Sequence, residues 1–390
     1  MTVSAGPVVF SVRVNGAVSL DTPSDFELRQ SWGNHDMFFL RMIVPAALPN
    51  KNQLTAWADG AAVEIVWGRQ PESVSTWYGY INHHENSTKE DTGLNVNQIT
   101  YVCIGTSKVL NGHVNKTWKN MTAAGMAQTI AQANGFRAVV TKSSWMLNET
   151  QANESDFQFL NRIADKVGFR FWVSGGTLYL IDPMVLLSAS SMYFLPHYQL
   201  NNQISNIDYA QNFKVVQGDN IPGSVQMNRT VYGLDPSTGQ VFATTATGDS
   251  YANTTVDTSR YVTSQGEALN IANAKKALSQ FWIQATIEVM GYTVLYPGKV
   301  INITGAALTD TTSGDWIVTG ADHVLKTVGK MPSDDKYVTR LSLIRSAKDT
   351  SLIPYIKSVQ KVVPEFVTCR LQATKQWVAT QMATITEGVE

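Results

Sequence analysis

The sequence predicts a β-rich α+β protein: two all-β modules, a small α+β unit inserted between them, and a helical tail. Three observations carry this. Apolar and polar residues alternate with period two, between turn residues, in residues 1–105 and again in 263–347. Residues 106–185 read instead as two capped amphipathic helices followed by a tight hairpin. Beyond residue 348, Pro354 and Pro364 precede a helical pattern that runs to Met382. A chain of 390 residues suggests two to three domains with ample length for a core.

In the first module Phe10, Val12 and Val14 alternate with Ser11, Arg13 and Asn15, and Asn15-Gly16 supplies a type I′ turn. Further strands are expected at 37–44, 63–67, 77–81 and 100–104, an arrangement that suits a barrel or a sandwich. The first inserted helix starts at Thr122 as N-cap, has Ala123, Met126, Ile130 and Ala133 at helical spacing, and ends at Asn134-Gly135. The second opens with Ser155-Asp156-Phe157-Gln158, a capping box. It buries Phe157, Leu160, Ile163, Ala164 and Val167 and stops at Gly168. Phe169, Phe171 and Val173 then alternate into the Gly175-Gly176 turn, and the chain returns over 177–181. Neither helix can bury its stripe alone, so both should pack on each other and on the hairpin.

Residues 186–262 are strand-like and polar and read as a connecting or inserted segment, with an exposed loop or small hairpin at 231–240. A third helix begins at Ser264-Gln265-Gly266-Glu267, another capping box, and carries Ile271, Ala274, Leu278 and Phe281 on one face. The second module follows: Ile283, Ala285, Ile287 and Val289 alternate with Gln284, Thr286 and Glu288. Strands at 300–303, 316–319 and 337–343 complete it. In the tail (348–390), Val367, Leu371, Thr374, Val378 and Met382 recur at spacings of four, three, four and four. A stripe this narrow needs a partner. Val367, Leu371, Val378 and Met382 are therefore candidate partner-binding residues, directed at the chain's own barrel, a neighbouring copy or another protein.

Composition narrows the function classes. Hydrophobic residues make up 44% of the chain, which excludes disordered and collagen-like readings. Charged residues are 16%, against about 25% in typical soluble domains, and uncharged polar residues replace them. Such a surface suits a protein whose exterior becomes interface. The net charge is −1 without a basic run, so nucleic-acid binding and a membrane-surface role are disfavoured. The N-terminus alternates like a strand and lacks a basic, then apolar, leader pattern; no window reaches the ~18 apolar residues that span a bilayer. Synthesis and residence in a cytosol, without a membrane anchor, are the expectation.

Motifs for chemistry are scarce. The sequence has no GxGxxG, Walker A, G-x-S-x-G or HExxH pattern. Two cysteines, Cys103 and Cys369, make neither a disulfide framework nor a zinc site. Cys103 sits in an apolar strand, where cysteine is usually a small buried hydrophobe. His83 and His84, echoed by His35, are adjacent on a strand and face opposite sides, which is poor spacing for one metal. Glu149, Glu154, Asp156 and Asp165 cluster near the second helix, where capping and helix-surface solvation account for them better than a glycosidase pair. The two inserted helices are too far apart for a helix-turn-helix.

Several runs do resemble a known family. T-x-x-x-M-A-Q-T-I-A-Q-A-N-G-F (122–136) and S-D-F-x-F-L-x-R-I-A-x-x-x-G-F (155–169) are similar to the helical insertion of phage tail hub proteins, the group of baseplate hubs, late-control D proteins and VgrG spike proteins. The resemblance continues in Y-G-L-D-P-S-T-G (232–239), E-A-L-N-I-A-N-A (267–274), Y-P-G-K-V-I-N-I-T-G (296–305) and G-D-W-I-V-T-G-A-D-H (314–323), in family order. These are packing and turn residues, so they speak to fold first. The resemblance implies two tube-like β-barrel modules, three copies of which form a ring adapting a six-fold tail tube to a three-fold spike or central fibre. It implies a structural virion protein at the tail tip or baseplate, assembled in the host cytoplasm, with no catalysis and no cofactor. Its implied partners are two further copies, a tail tube or distal tail protein, a spike or central fibre protein and the tape-measure protein; DNA passes through the lumen without sequence-specific binding. The chain reaches Glu390 without an OB, β-helix or lysozyme motif, so the spike is expected on another polypeptide. The competing class is a receptor- or carbohydrate-binding tail-tip protein, for which ten Trp and fourteen Tyr offer stacking surfaces.

Overall fold

The computed structural model describes residues 8–19, 23–44, 57–70, 73–91, 94–190, 197–200, 209–217, 226–235, 237–248, 254–257, 262–304, 314–327 and 335–346. The tail, with Val367, Leu371, Val378 and Met382, lies outside the described residues.

The first module is a curved antiparallel wall in the order Asp25–Ser31, Met37–Val44, Leu94–Gly105, Ser73–Asp91, Ala62–Arg69, Val8–Val14, with the short Ala17–Val18 at its edge. Alternation decides which side chains enter: Val12, Val14, Phe26, Leu28, Phe38, Leu40, Ile65, Trp67, Tyr101 and Cys103 fill the concave side. The two ends of the wall meet through side chains, Phe10 stacking on Phe26 with ring centroids 4.8 Å apart. Asn15 (φ 49°) and Gly16 (φ 81°) both adopt positive φ, as the expected type I′ turn requires.

The second module closes completely. Val300–Thr304, His197–Leu200, Tyr209–Gln217, Ile283–Met290, Asp335–Arg345 and Gly314–Thr327 pair in that order, and Gly314–Thr327 pairs back onto Val300–Thr304. Its interior holds Ile283, Ala285, Ile287, Val289, Ile301, Trp316, Leu341 and Leu343. Two of the six strands, His197–Leu200 and Tyr209–Gln217, fall in the stretch that the sequence assigned to a connecting segment. The barrel therefore draws on residues N-terminal to the expected boundary at 263; one of these strands is only four residues long and pairs in parallel with both neighbours, which leaves little local pattern to read.

One long strand joins the modules. Residues 314–317 of Gly314–Thr327 pair with Val300–Thr304, and after an irregularity between Val318 and Gly320, residues 320–326 pair with Asp25–Ser31. The bulge turns the strand from one wall to the next and makes a single 13-stranded sheet of both.

The insertion contains the expected helices, Ala123–Ala133 and Asp156–Val167. Thr122 accepts the Gly125 amide, Ser155 and Gln158 form the reciprocal capping box, and Gly168 ends the second helix at φ 78°. Arg137–Val140, Thr177–Ile181 and Arg170–Ser174 form a three-stranded sheet behind them, wider than the expected hairpin. A further ribbon, His113–Thr122 with Met146–Ser155, had no sequence signal. Its residues are mostly polar and exposed, and positive φ at Asn120 and Asn153 accompanies breaks in its register.

The helix Pro183–Ser190 follows, with Asp182 accepting the Met184 amide at 2.9 Å. Met184, Val185, Leu186 and Leu187 are all buried, against Trp172 and Ile181 of the insertion and Val300, Ile317 and Phe281 of the second module. A helix apolar all round has no amphipathic period to announce it. Finally, Asn228–Leu234, Val241–Ala246 and Thr254–Asp257 form a small sheet on the helix Gln265–Leu278. Here Ser264 accepts the Glu267 amide, but Glu267 reaches the Thr263 amide, one residue before the expected partner of a capping box.

Candidate assembly faces

The turn at residues 32–36 knits three units together. Trp32 donates its amide to Thr319, the residue at the barrel-to-barrel bulge, at 3.0 Å, and stacks on Trp172 of the insertion. Gly33 donates to the Phe171 carbonyl, and Asn161 donates back to the Gly33 carbonyl at 3.1 Å. His35 stacks on Phe157 at 3.8 Å and bonds Ser107, with burial holding its pKa down. His35 is thus a packing residue, far in role from the histidine cluster it echoed in sequence.

Beside it, the buried Asp36 receives a hydrogen bond from Gln30 Nε2 at 2.8 Å. Desolvation pushes its carboxyl up to about 7, the hydrogen bond from Gln30 opposing. At the barrel junction His323 is fully buried, its Nδ1 within 3.0 Å of Thr339 Oγ1, and desolvation lowers its pKa to about 3. Burial thus keeps His323 neutral and keeps Asp36 protonated below about pH 7.

The carboxylates weighed as a catalytic pair serve as fasteners. Glu149 lies between Lys166 Nζ (2.6 Å) and Arg162 (2.7 Å), and Arg162 also binds Glu154. Lys166 extends to Glu267, and Asp165 pairs with Lys275, so the second inserted helix is tied to Gln265–Leu278 by ions of both signs. Asp156 accepts from Gln151 and Asn134. His83 and His84 are exposed and pair separately with Glu85 and Asp59. Among the described residues no group of three or more His, Cys, Asp or Glu could hold a metal. Cys103 is buried in the wall, its thiol pushed up to about 12 by desolvation, as an inert core residue should be.

Sequence reading missed one extended feature on the outer side of the joined wall. Glu288 stands opposite Arg340, Arg340 opposite Asp322, and Asp322 opposite Arg29, on four successive strands that cross from the second module into the first. Arg340 bonds Glu288 at 2.9 Å; Arg29 bonds Glu27 at 2.7 Å, and Arg41 reaches Glu27 from the next strand. Signs alternate along this row and cancel. The flanking rung, Thr286, Ser342, Gly320 and Ser31, is uncharged. Gln284 and Thr286 are exposed, as expected of the polar side of this strand. The four charged positions are scattered over most of the chain and converge only through strand register, so no local pattern could reveal them.

Of the aromatic side chains among the described residues that could stack on sugars, Tyr78 and Tyr232 are exposed, whereas the tryptophans are not. Among the described residues Trp57, Trp67, Trp77, Trp118, Trp172 and Trp316 are buried and Trp32, Trp145 and Trp282 half-buried; none is exposed.

No protein-family model matches the chain, and no curated protein matches it. Solved structures do. A tail protein from Neisseria meningitidis MC58 superposes with a TM-score of 0.61 at 16% identity, over 87% of this chain and 97% of that one. The chain has the phage tail-protein fold. The 43 kDa tail protein of prophage MuSo2 from Shewanella oneidensis gives a TM-score of 0.59 at 11% identity, covering 87% and 98% of the two chains. The tail-protein fold extends to an Escherichia coli component of the type VI secretion system, at a TM-score of 0.54, 11% identity and 86% and 77% coverage. That protein is itself described as similar in structure to bacteriophage T4 tail proteins. At these identities the shared property is the fold.

Proposed function

We propose that this protein is a structural, non-enzymatic component of a phage-type tail, and within it the hub whose three copies close a ring at the tail tip. The observation that carries the reading is the continuous sheet through two barrel-like modules, joined at the Thr319 bulge. Each copy contributes two such modules, so three copies present six, a number that meets a six-fold tube on one side and a three-fold spike or central fibre on the other. The insertion and the helix Pro183–Ser190 brace the junction from one side of the wall.

In this reading the stretch of the outward face beyond the insertion, where the charge row lies, lines the channel. The Glu288, Arg340, Asp322, Arg29 row is self-compensated, so it offers passing DNA no net positive strip to hold it. The tape-measure protein, a tail tube or distal tail protein and the spike or fibre are the partners, and the virion tail tip is the location. Among the described residues no helix is long and apolar enough to cross a membrane.

Native mass measurement tests the reading. A stable species of three times the 42.9 kDa chain is expected at micromolar concentration. A monomer that persists at high concentration and binds glycans would favour the receptor-binding alternative instead.

A further inference from the structure

Among the described residues the small sheet of Asn228–Leu234, Val241–Ala246 and Thr254–Asp257 is covered on one face only. Val231, Ala246 and Phe242 turn into a core with Ala268, Ile271 and Ala272 of the helix beneath. The other face carries Tyr232, Leu234, Val241 and Val256, exposed by 41%, 43%, 70% and 49%. Register gathers them: Leu234 stands opposite Val241, Tyr232 opposite Ala243, and Val256 beside Thr230 on the far strand. Four large apolar side chains on one face of so thin a sheet form half of a contact.

The chain's own course supplies the other half. Ser346, the last described residue, donates to Gln280 Oε1 at 3.1 Å. Next to Gln280, Ser279 Oγ accepts the Met227 amide at 2.9 Å, immediately before the first strand of the sheet. The tail therefore leaves the barrel at the foot of this sheet. Residues 347–363 could extend on the order of 55 Å, beyond the roughly 23 Å length of a seven-residue strand. A helix over residues 364–382 would be about 28 Å long, enough to lie along the sheet. A segment tethered within such reach meets its site at an effective concentration on the order of millimolar, which favours its own chain over a second copy.

We propose that residues 364–382 dock as a helix on this face of the same chain, setting Val367, Leu371, Val378 and Met382 against Tyr232, Leu234, Val241 and Val256. This inference stands apart from the hub reading, since it concerns contacts within one copy.

Two measurements on the full-length protein test it. The variant Val241→Cys, Leu371→Cys, Cys369→Ser is oxidised over a tenfold dilution range. A disulfide within single chains, in unchanged yield on dilution, is expected; cross-links between chains would assign the face to a neighbouring copy and overturn the proposal. Amide exchange is then compared between the full chain and a chain ending at residue 363. Exchange over residues 228–246 should quicken at least tenfold on truncation, and Val241→Asp should quicken exchange in 364–382. Unchanged exchange in both segments would overturn the proposal even if the cysteine variant fails to fold.

Discussion

Replacing Ile287 with Asp probes the assignment of inside and outside in the closed barrel. Ile287 is 2% exposed and lies in one core with Trp316, Ile301 and Leu341, on a strand paired on both edges. Removing its branched side chain from a packed interior costs about 2–5 kcal/mol. A carboxyl placed there must stay protonated at pH 7, roughly three units above its ordinary value, which adds about 4 kcal/mol. The sum, about 6–9 kcal/mol, approaches the entire stability of a typical domain, about 5–15 kcal/mol. Ile287→Asp should therefore fail to form the second barrel, whereas Ile287→Val should lose about 0.5–1.5 kcal/mol. Thr286→Ala, one residue away on the exposed side, should stay within about 0.5 kcal/mol of the parent. Urea titration followed by circular dichroism ranks the three. An Ile287→Asp protein that unfolds cooperatively with the midpoint of Ile287→Val would refute the interior assignment.

Three further expectations can be checked alongside. In the insertion, Leu160→Ala, at a fully buried site, should cost about 2–5 kcal/mol, and Ser155→Ala about 1 kcal/mol through its lost cap; a larger effect of the cap in urea titration would contradict the core described for this unit. Folded Asp36 keeps its proton up to about pH 7, whereas the unfolded chain releases it near 3.8, so ionisation destabilises the fold as pH rises between those values. Asp36→Asn should then gain up to about 4 kcal/mol at pH 8 and little at pH 4, and equal urea midpoints for parent and variant at both pH values would oppose this. Glu288→Lys with Asp322→Lys turns the compensated row into four like charges, which should slow DNA exit from assembled tails in a salt-dependent manner; unaltered ejection would remove this face from the channel.

The sequence was most legible where a single residue type answers a local backbone demand. Thr122, Ser155 with Gln158, and Gly168 mark helix ends, and each is found in its capping role. The alternation from Ile283 to Val289 identified a half-buried strand, and its apolar residues do face the core. Legibility failed where tertiary pairing overrides local pattern. The ribbon His113–Thr122 with Met146–Ser155 is mostly polar and irregular in register, and residues 183–188 are all buried. The short strand His197–Leu200 pairs in parallel with the nearby Tyr209–Gln217 and with Val300–Thr304, about a hundred residues on. The second barrel closes through residues 314–317, and its sheet continues into the first past an irregularity near Thr319, which no composition or period announces. The charge row is the extreme case, since its members meet only after four strands have paired.

Electron microscopy of the purified protein, with class averages viewed along the symmetry axis, addresses the hub reading most directly. A closed three-fold ring with six barrel-sized lobes around an open centre is the predicted result. Isolated monomers, two-fold dimers or open filaments at the same concentration would contradict it.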